Sequence, residues 1–221
     1  MKICHIVGAG EMGGVSIKAK AGDCLIAADA GYAEVKRQGL KADLVVGDFD
    51  SLGKEPSGEN VVKHPVMKDD TDTMLAVRRG LQLGYVDFLL LGCLDGRRLD
   101  HTVANYQTLQ FLADRGADAF LLGKNYVVTV VKDGTLTFPA RAEGILSLFC
   151  LGADAEGVTL KNLQYPLESG TLTPGFPLGV SNHFTGKPAS VTVRQGSLLA
   201  MWDRRNGICC RRERTYHEAQ G

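Results

Sequence analysis

The sequence has no excess of one charge sign, no long hydrophobic run and no paired cysteine motif, and each absence excludes a class of protein. Lys and Arg together number 25, as do Asp and Glu, so the formal net charge at pH 7 is zero. A balanced chain of this kind has no general attraction to nucleic acid or to an anionic membrane surface. No apolar run reaches the length that spans a bilayer. We therefore expect neither nucleic acid nor membrane among its partners.

The six cysteines are scattered without a CxxC pair, so a zinc site is a poor interpretation of them. The residues near Met1 lack the apolar core and cleavage site of a signal peptide. These features predict a cytoplasmic protein whose cysteines are reduced and packed. With 221 residues, the chain can bury a sizeable core in one large domain or in two small ones.

The pattern of apolar and polar residues changes near Gly123. Before it, short apolar runs from KICHIVG to ADAFLLG alternate with helical patterns, which predicts a parallel sheet with helices on its faces. After it, YVVTVVKDGTLTFPA is predicted as a hairpin that turns at Asp133-Gly134. Short separate strands are predicted to follow between glycine turns, the last two being ASVTVRQG and SLLAMWD. This second pattern is typical of a small antiparallel sandwich or barrel. We expect an α/β domain over residues 1–124 and an all-β domain over residues 125–221.

Aspartates follow four of the predicted strands, at the sheet edge where ligands of parallel sheets bind. They are Asp29, the pair Asp48 and Asp50, the run KDDTD at 68–72, and Asp100. Like charges as close as those of Asp48 and Asp50 repel unless something positive lies between them, and a divalent metal is the commonest solution. The sequence therefore predicts an acidic pocket at this edge.

Each aspartate also has a structural interpretation. Asp70, Thr71 and Asp72 stand where a helix is predicted to begin, and Asp or Thr there caps free backbone N–H groups. Asp100 can cap the following helix in the same way. For a single aspartate both interpretations stay open, but together they supply more carboxylate than the helix ends require.

Basic side chains accompany these carboxylates. Lys68 precedes the second acidic cluster, and Arg97 and Arg98 precede Asp100. Carboxylates that hold magnesium, beside Lys and Arg that hold phosphate oxygens, are what phosphoryl transfer requires. Gly8, Gly10, Gly13 and Gly14 follow the first strand; their backbone can approach phosphate, although a simple turn explains them better.

Four ordered motifs make the chain resemble the thiamine pyrophosphokinase family. They are ADAG at 28–31, GDFDS at 47–51, KDDTD at 68–72 and RLDH at 98–101, the last followed by Asn105. Further along, LQYPL at 163–167 and GVSN at 179–182 are similar to substrate-side segments of that family. The resemblance implies a homodimer whose pocket lies between the subunits, each chain having a Rossmann-like catalytic domain and a β-sandwich. It also implies transfer of the pyrophosphoryl group of ATP to thiamine with magnesium, leaving AMP.

The resemblance further implies a role for each matching residue. It implies magnesium ligands at Asp48, Asp50 and Asp72, and further catalytic residues at Arg98 and Asp100. It implies an ATP site formed by Asp29, Ser51, Lys68, Asp69, Thr71, His101 and Asn105, and thiamine contacts at Ser181 and Asn182. Trp202 is a further candidate contact, because a cationic thiazolium favours an aromatic wall. Either Asp100 or Asp72 is the expected base, and the sequence leaves that choice open.

Some features depart from the family pattern or admit another explanation. Ala30 stands where the family usually has glycine, and Arg97 where a glycine is expected, so Arg98 is the expected phosphate ligand. Trp202 lies on the strand face of Leu198 and Ala200, where it either contacts thiamine or closes the sandwich core. Two other functions stay open: a haloacid-dehalogenase-like phosphatase that uses DFD, and a non-catalytic nucleotide-binding module.

Overall fold

The computed structural model describes residues 2–47, 61–63, 70–206, 208 and 211–214. The chain divides into two compact units, Met1–Lys124 and Asn125–Gly221. No helix in the described part of the chain is long and apolar enough to cross a membrane.

The first unit is an α/β structure around a parallel sheet. Its strands are β1 (Cys4–Val7), β2 (Cys24–Ala28), β3 (Leu44–Gly47), β4 (Val61–Lys63), β5 (Asp87–Leu91) and β6 (Asp118–Leu122). Its helices are α1 (Gly31–Arg37), α2 (Asp72–Gln82) and α3 (Leu99–Asp114). Strands β1 and β2 are buried at every position, as expected where helices cover both faces of a parallel sheet. The predicted alternation of strands and helices is confirmed here.

The strand order of this unit creates a crevice at one edge of the sheet. The order is β6-β5-β1-β2-β3-β4, with all neighbours parallel. The chain thus runs outward from β1 to β4 and then returns to place β5 on the other side of β1. Such a switch point separates the loops that leave the two neighbouring strands. The carboxyl ends of β1 and β5 are therefore where a ligand is expected.

The second unit consists of antiparallel strands. They are β7 (Tyr126–Phe138), β8 (Ile145–Cys150), β9 (Ala155–Lys161), β10 (Leu167–Leu172), β11 (Asn182–His183), β12 (Ala189–Asp203) and β13 (Arg211–Arg214). β12 is central: it pairs with β7 on one side, and on the other with β9 in its first half and with β8 in its second half. Inward-facing residues such as Leu136, Leu148 and Val191 are fully or almost fully buried.

The predicted hairpin at Asp133-Gly134 is wrong, because β7 continues through both residues as one strand. Asp133 has a φ of +43°, and β12 shifts register opposite it, between Val193 and Ser197. The Oδ1 atom of Asp133 accepts a hydrogen bond from Gly196 N at 2.8 Å, and Gly196 has a φ of +105°. An Asp-Gly pair permits left-handed backbone, which here forms a bulge rather than a turn. The segments predicted as separate strands, ASVTVRQG and SLLAMWD, are accordingly the two halves of β12.

Candidate active site

A cavity of about 450 Å³ lies in the first unit where β1 and β5 end. Ala9, Gly10 and Glu11 line it from the loop after β1, and Arg97 and Arg98 from the loop after β5. The starts of α2 and α3 complete the wall. The cavity therefore occupies the switch point of the sheet.

The two loops approach so closely that side chains are excluded between them. Gly8 N donates to Leu91 O, and Gly10 N to Gly92 O, each at 2.8 Å. A Cβ atom added at Gly10 would lie 2.7 Å from Gly92 O, and Gly92 itself has a φ of +62°. Gly10 and Gly92 thus present a wall of backbone to the cavity. Sequence reasoning favoured a simple turn here, and the N–H groups of Gly8 and Gly10 are indeed donated to backbone carbonyls. Phosphate binding by these glycines stays a prediction.

Helix α3 fixes the loop that follows β5. The Nδ2 atom of Asn105 donates to Cys93 O at 2.6 Å, and Thr102 Oγ1 donates to Leu94 O at 3.1 Å. Asn105 is 6% exposed and lines the cavity. Burial raises the pKa of the Cys93 thiol to about 12, so this cysteine is not a thiolate nucleophile at neutral pH.

Arg98 and Asp100 form an exposed ion pair at the start of α3. Nε and Nη2 of Arg98 donate to the two carboxylate oxygens of Asp100 at 3.2 and 2.5 Å. These hydrogen bonds hold the pKa of Asp100 below its usual range and raise that of Arg98. Arg98 occupies the N-cap position and its own side chain makes no capping hydrogen bond. The Asp100 carboxylate also accepts from the backbone N–H of His101 in the first turn of α3, so its capping interpretation stays open. Arg97, Arg98 and His101 all line the cavity.

The start of α2 supports the capping interpretation at Thr71. Its Oγ1 atom accepts from Met74 N at 3.2 Å. Asp70 pairs with Arg78, whose Nε lies 2.9 Å from Oδ2. Asp72 is the first residue of α2 and is half-buried, and its neighbour Thr73 lines the cavity.

Asp29 follows β2 with its backbone in the left-handed region, at a φ of +47°. Such a conformation is unfavourable for a residue other than glycine, and strain of this kind is common near functional sites. Gly31 begins α1 against β1, since a Cβ there would lie only 2.0 Å from Val7 O. The chain therefore needs glycine at 31, whereas Ala30 adopts an ordinary helical conformation.

Several predicted site residues lie outside the described residues: Asp48, Asp50, Ser51, Lys68 and Asp69. Within the described part of the chain, no group of three His, Cys, Asp or Glu side chains is placed to hold a metal ion. Of the predicted magnesium ligands, only Asp72 is described. The magnesium site therefore stays a prediction.

In the second unit, Asn182 joins two loops. Its Oδ1 atom accepts from Tyr165 N at 3.0 Å and from His183 N at 2.9 Å, while Nδ2 donates to Tyr165 O at 2.7 Å. Asn182 is 4% exposed, whereas Tyr165 is 59% exposed. Ser181, also exposed, has a φ of +60° and donates its N–H to Ser147 Oγ at 3.1 Å. Sequence reasoning named the LQYPL segment but overlooked its exposed tyrosine.

Trp202 belongs to the core of the second unit. It is 1% exposed, and its ring packs edge-to-face on Phe138 with centroids 5.3 Å apart. The guanidinium of the buried Arg141 lies 5.9 Å from the Trp202 ring centroid. These contacts support the core-packing interpretation, so we omit Trp202 from the proposed thiamine contacts.

Two family models match the chain. Residues 18–121 match the model described as thiamin pyrophosphokinase, catalytic domain, and residues 135–198 match thiamin pyrophosphokinase, vitamin B1 binding domain. The chain belongs to the thiamine pyrophosphokinase family. This is a family of transferases that bind thiamine and ATP and form thiamine diphosphate. The match does not favour a phosphatase or a non-catalytic module.

Solved structures of thiamine pyrophosphokinases are similar to this chain along most of its length. The Bacillus subtilis enzyme is 21% identical with a TM-score of 0.78, covering 92% of this chain and 99% of its own. That of Geobacillus thermodenitrificans is 25% identical with a TM-score of 0.76, covering 94% and 99%. Thiamin pyrophosphokinase from Candida albicans is 14% identical with a TM-score of 0.73, covering 91% and 88%. No curated protein sequence matches this chain.

Proposed function

We propose that the cavity between the ends of β1 and β5 binds ATP, and that the chain transfers its pyrophosphoryl group to thiamine, releasing AMP. The observation that carries the proposal is the cavity itself, where a backbone wall of glycines faces two arginines across a switch point. The start of α3 adds backbone N–H groups and a positive helix end, which favour phosphate oxygens.

Arg98 is the proposed ligand of the transferred group. Pyrophosphoryl transfer is accelerated mainly by positive groups that stabilise charge on phosphate oxygens as the bond to the α-phosphate breaks. The ion pair between Arg98 and Asp100 is exposed, and exposed pairs are weak. Phosphate can therefore draw Arg98 away from Asp100 at little cost.

This exchange of partners also gives Asp100 a role as the base. The pKa of Asp100 is lowered while Arg98 donates to it, so the carboxylate is a weak base in that state. When Arg98 turns to phosphate, the pKa of Asp100 rises towards its ordinary value and the carboxylate accepts a proton more readily. Asp72 is the other candidate for accepting the proton of the thiamine hydroxyl.

The carboxylates Asp48, Asp50 and Asp72 are the proposed magnesium ligands, with Lys68 beside them. Carboxylate oxygens suit this hard cation, and the half-buried Asp72, next to a residue that lines the cavity, fits the assignment. When bound, magnesium neutralises charge on the triphosphate. Asp29, Ser51, Asp69, Thr71, His101 and Asn105 complete the proposed ATP site, Thr71 and Asn105 by holding local structure.

The second unit is the proposed thiamine domain, with Ser181 and Tyr165 as contacts and Asn182 as a positioning residue. The hydrogen bonds of Asn182 fix the backbone on both sides of Tyr165. An exposed aromatic ring offers the cationic thiazolium a favourable surface, and the hydroxyl of Ser181 can bond the aminopyrimidine. The match of residues 135–198 to a vitamin B1 binding domain supports this assignment.

The organisation of the whole protein is part of the proposal. Residues 1–124 form the Rossmann-like ATP and magnesium domain, and residues 125–221 the β-sandwich domain. A homodimer is proposed because Phe176 and Leu178 are 65% and 56% exposed, as apolar side chains at an interface are in the isolated chain. A cytoplasmic location agrees with the four described cysteines, which are free thiols.

Steady-state kinetics, measured separately for ATP and for thiamine, test the proposal. Because a charge-assisted bond contributes about 1.5–3 kcal/mol, Arg98→Ala should lower kcat/KM for ATP by roughly 10- to 100-fold. Arg97→Ala should reduce it far less, and Arg115→Ala, at the other end of α3, should leave it unchanged. Ser181→Ala should instead raise the KM for thiamine while the KM for ATP stays the same. A normal ATP requirement in Arg98→Ala, or a raised one in Ser181→Ala, contradicts the assignment.

A further inference from the structure

Cys4 and Cys24 lie side by side at the amino ends of β1 and β2. They are directly paired in the register of these parallel strands, and paired residues point to the same face of a sheet. Neighbouring strands are about 4.8 Å apart, within the Cα separation of about 4.4–6.8 Å that a disulfide spans. Both are free thiols. The proposed ATP site begins at the opposite end of β1 and leaves this pair unused.

Helix α2 covers the two thiols and leaves space above one of them. A Cβ atom at Gly80 would lie 2.8 Å from the Cys4 sulfur, so glycine at this position makes room for the thiol. Cys4 is 0% exposed and Cys24 is 6% exposed. A small molecule therefore reaches Cys24 first, with Cys4 behind it.

A second cavity, of about 350 Å³, opens beside Cys24. Asp43, Leu44, Arg79 and Leu83 line it together with the cysteine. Asp43 is engaged by the backbone, since its Oδ2 accepts from Leu25 N at 2.8 Å. The lining therefore carries the negative charge of Asp43 and the guanidinium of Arg79, and the guanidinium suits the carboxylate of a small anionic molecule.

The two thiols also differ in acidity. A hydrogen bond with Cys4 lowers the pKa of Cys24, although burial and the Asp43 carboxylate oppose this shift. The same hydrogen bond, together with burial, raises the pKa of Cys4. Since the thiolate is the reactive form, Cys24 is the more nucleophilic of the two.

We propose that Cys24 and Cys4 form a thiol–disulfide exchange site for anionic, low-molecular-weight disulfides. The Cys24 thiolate attacks one sulfur of the small disulfide, whose S–S bond breaks; one half leaves as a thiolate and the other remains in a mixed disulfide. Cys4 then loses its proton and attacks the Cys24 sulfur, releasing the second half as a thiol. Two protein thiols are thereby oxidised to one disulfide, and the small disulfide is reduced to two thiols.

The crosslink is expected to be reversible. The usual spacing of neighbouring strands, about 4.8 Å, exceeds the mean Cβ separation of about 3.8 Å in disulfides, so we expect the crosslink to draw the two strands together. The resulting strain makes the bond easier to reduce than a structural disulfide. The pair is therefore suited to respond to the thiol–disulfide balance of its surroundings.

Peptide mapping of the folded protein tests the proposal. Oxidised glutathione is the probe, and free thiols are blocked with iodoacetamide before digestion with trypsin. Cleavage after Lys2, Lys18, Lys20 and Lys36 places the two cysteines on separate peptides, 3–18 and 21–36. We expect these peptides to be recovered as one disulfide-linked species that dithiothreitol separates. Absence of the linked species while other cysteines react overturns the proposal.

Variants test the order of the two steps. In Cys4→Ser, peptide 21–36 should carry glutathione as a stable mixed disulfide, whereas in Cys24→Ser peptide 3–18 should stay unmodified; alanine replaces serine if either variant fails to fold. Cys150→Ser is the matched control and should leave the crosslink intact. The two variants are compared by how readily the remaining cysteine is modified. If Cys4 in Cys24→Ser reacts as readily as Cys24 in Cys4→Ser, the assignment of Cys24 as the nucleophile is overturned.

The charge of the probe tests the cavity. Arg79→Ala should slow the reaction with oxidised glutathione by about three- to tenfold, because it removes local attraction for an anion. The neutral probe hydroxyethyl disulfide should react with this variant at the wild-type rate. An equal effect on both probes overturns the role of Arg79 and of the cavity.

Discussion

Single residues at the edge of the parallel sheet have two roles: they line the cavity, and they hold the loops around it by hydrogen bonds. Asn105 is the clearest example: it lines the cavity, and its side chain fixes the carbonyl of Cys93. The ordered motifs predicted that Asn105 belongs to the site, but no pattern in the sequence showed that its partner is a backbone carbonyl. The same holds for Asn182, whose three hydrogen bonds go to backbone.

We expect Asn105→Leu to lower both stability and ATP binding. The substitution leaves the carbonyl of Cys93 without its side-chain donor, and a buried unsatisfied group costs about 1–3 kcal/mol. The loop at 92–98 then moves, which raises the KM for ATP. Urea unfolding and steady-state kinetics measure the two effects, with Gln107→Ala on the exposed side of α3 as the control. Wild-type stability in Asn105→Leu contradicts the positioning role.

Asp23 gives the fold a dependence on pH in the acid range. Burial alone would raise the pKa of its carboxyl, but hydrogen bonds from Ile3 N and Lys20 N and its contact with His5 outweigh burial and hold that pKa below the usual range. A carboxyl with a lowered folded-state pKa contributes stability above its unfolded pKa, about 3.9, and loses it as pH falls through the folded pKa.

The urea midpoints of wild type and Asp23→Asn should therefore differ most near neutral pH. Their difference should shrink below about pH 4, as the wild-type carboxyl becomes protonated. A difference that stays constant through this acid range would show that the charge of Asp23 has no part in stability.

At the scale of elements, apolar runs and helical patterns predicted the elements of the first unit, because strands such as β1 and β2 are short apolar runs that are buried at every position. The strands of the second unit were harder to predict. Asp133-Gly134 favours left-handed backbone, and both a turn and a bulge use that conformation. Only the partner strand decides between them, and its Gly196 bonds back to Asp133. Long-range pairing of this kind is not visible in a local pattern.

Helix α2 packs on the sheet through a glycine, and this contact is testable. A Cβ at residue 80 would lie 2.6 Å from Phe88 Cε1 and 2.8 Å from Cys4 Sγ. Overpacking costs about 1–3 kcal/mol, against about 1 kcal/mol gained from the helix propensity of alanine. We expect Gly80→Ala to lower the free energy of unfolding by about 1 kcal/mol net. Gly175→Ala, with open space around it, should have no such effect; a stabilised Gly80→Ala would refute the packing argument.

At the scale of the whole molecule, the order of the strands in the first unit brings together loops that are far apart in the sequence. Sequence reasoning placed the aspartates at the carboxyl ends of strands, but it did not show that β5 returns beside β1. This return brings Gly10 and Arg98, far apart in the sequence, to one cavity. The described part of the chain does not test the carboxylates of Asp48 and Asp50.

The products formed from ATP and thiamine test the central claim most directly. The purified protein, incubated with both substrates and magnesium, should form thiamine diphosphate and AMP in equal amounts, and neither without thiamine. Ion-exchange chromatography separates AMP from ADP and from free phosphate. ADP, or phosphate released without thiamine, would contradict transfer of a pyrophosphoryl group to thiamine.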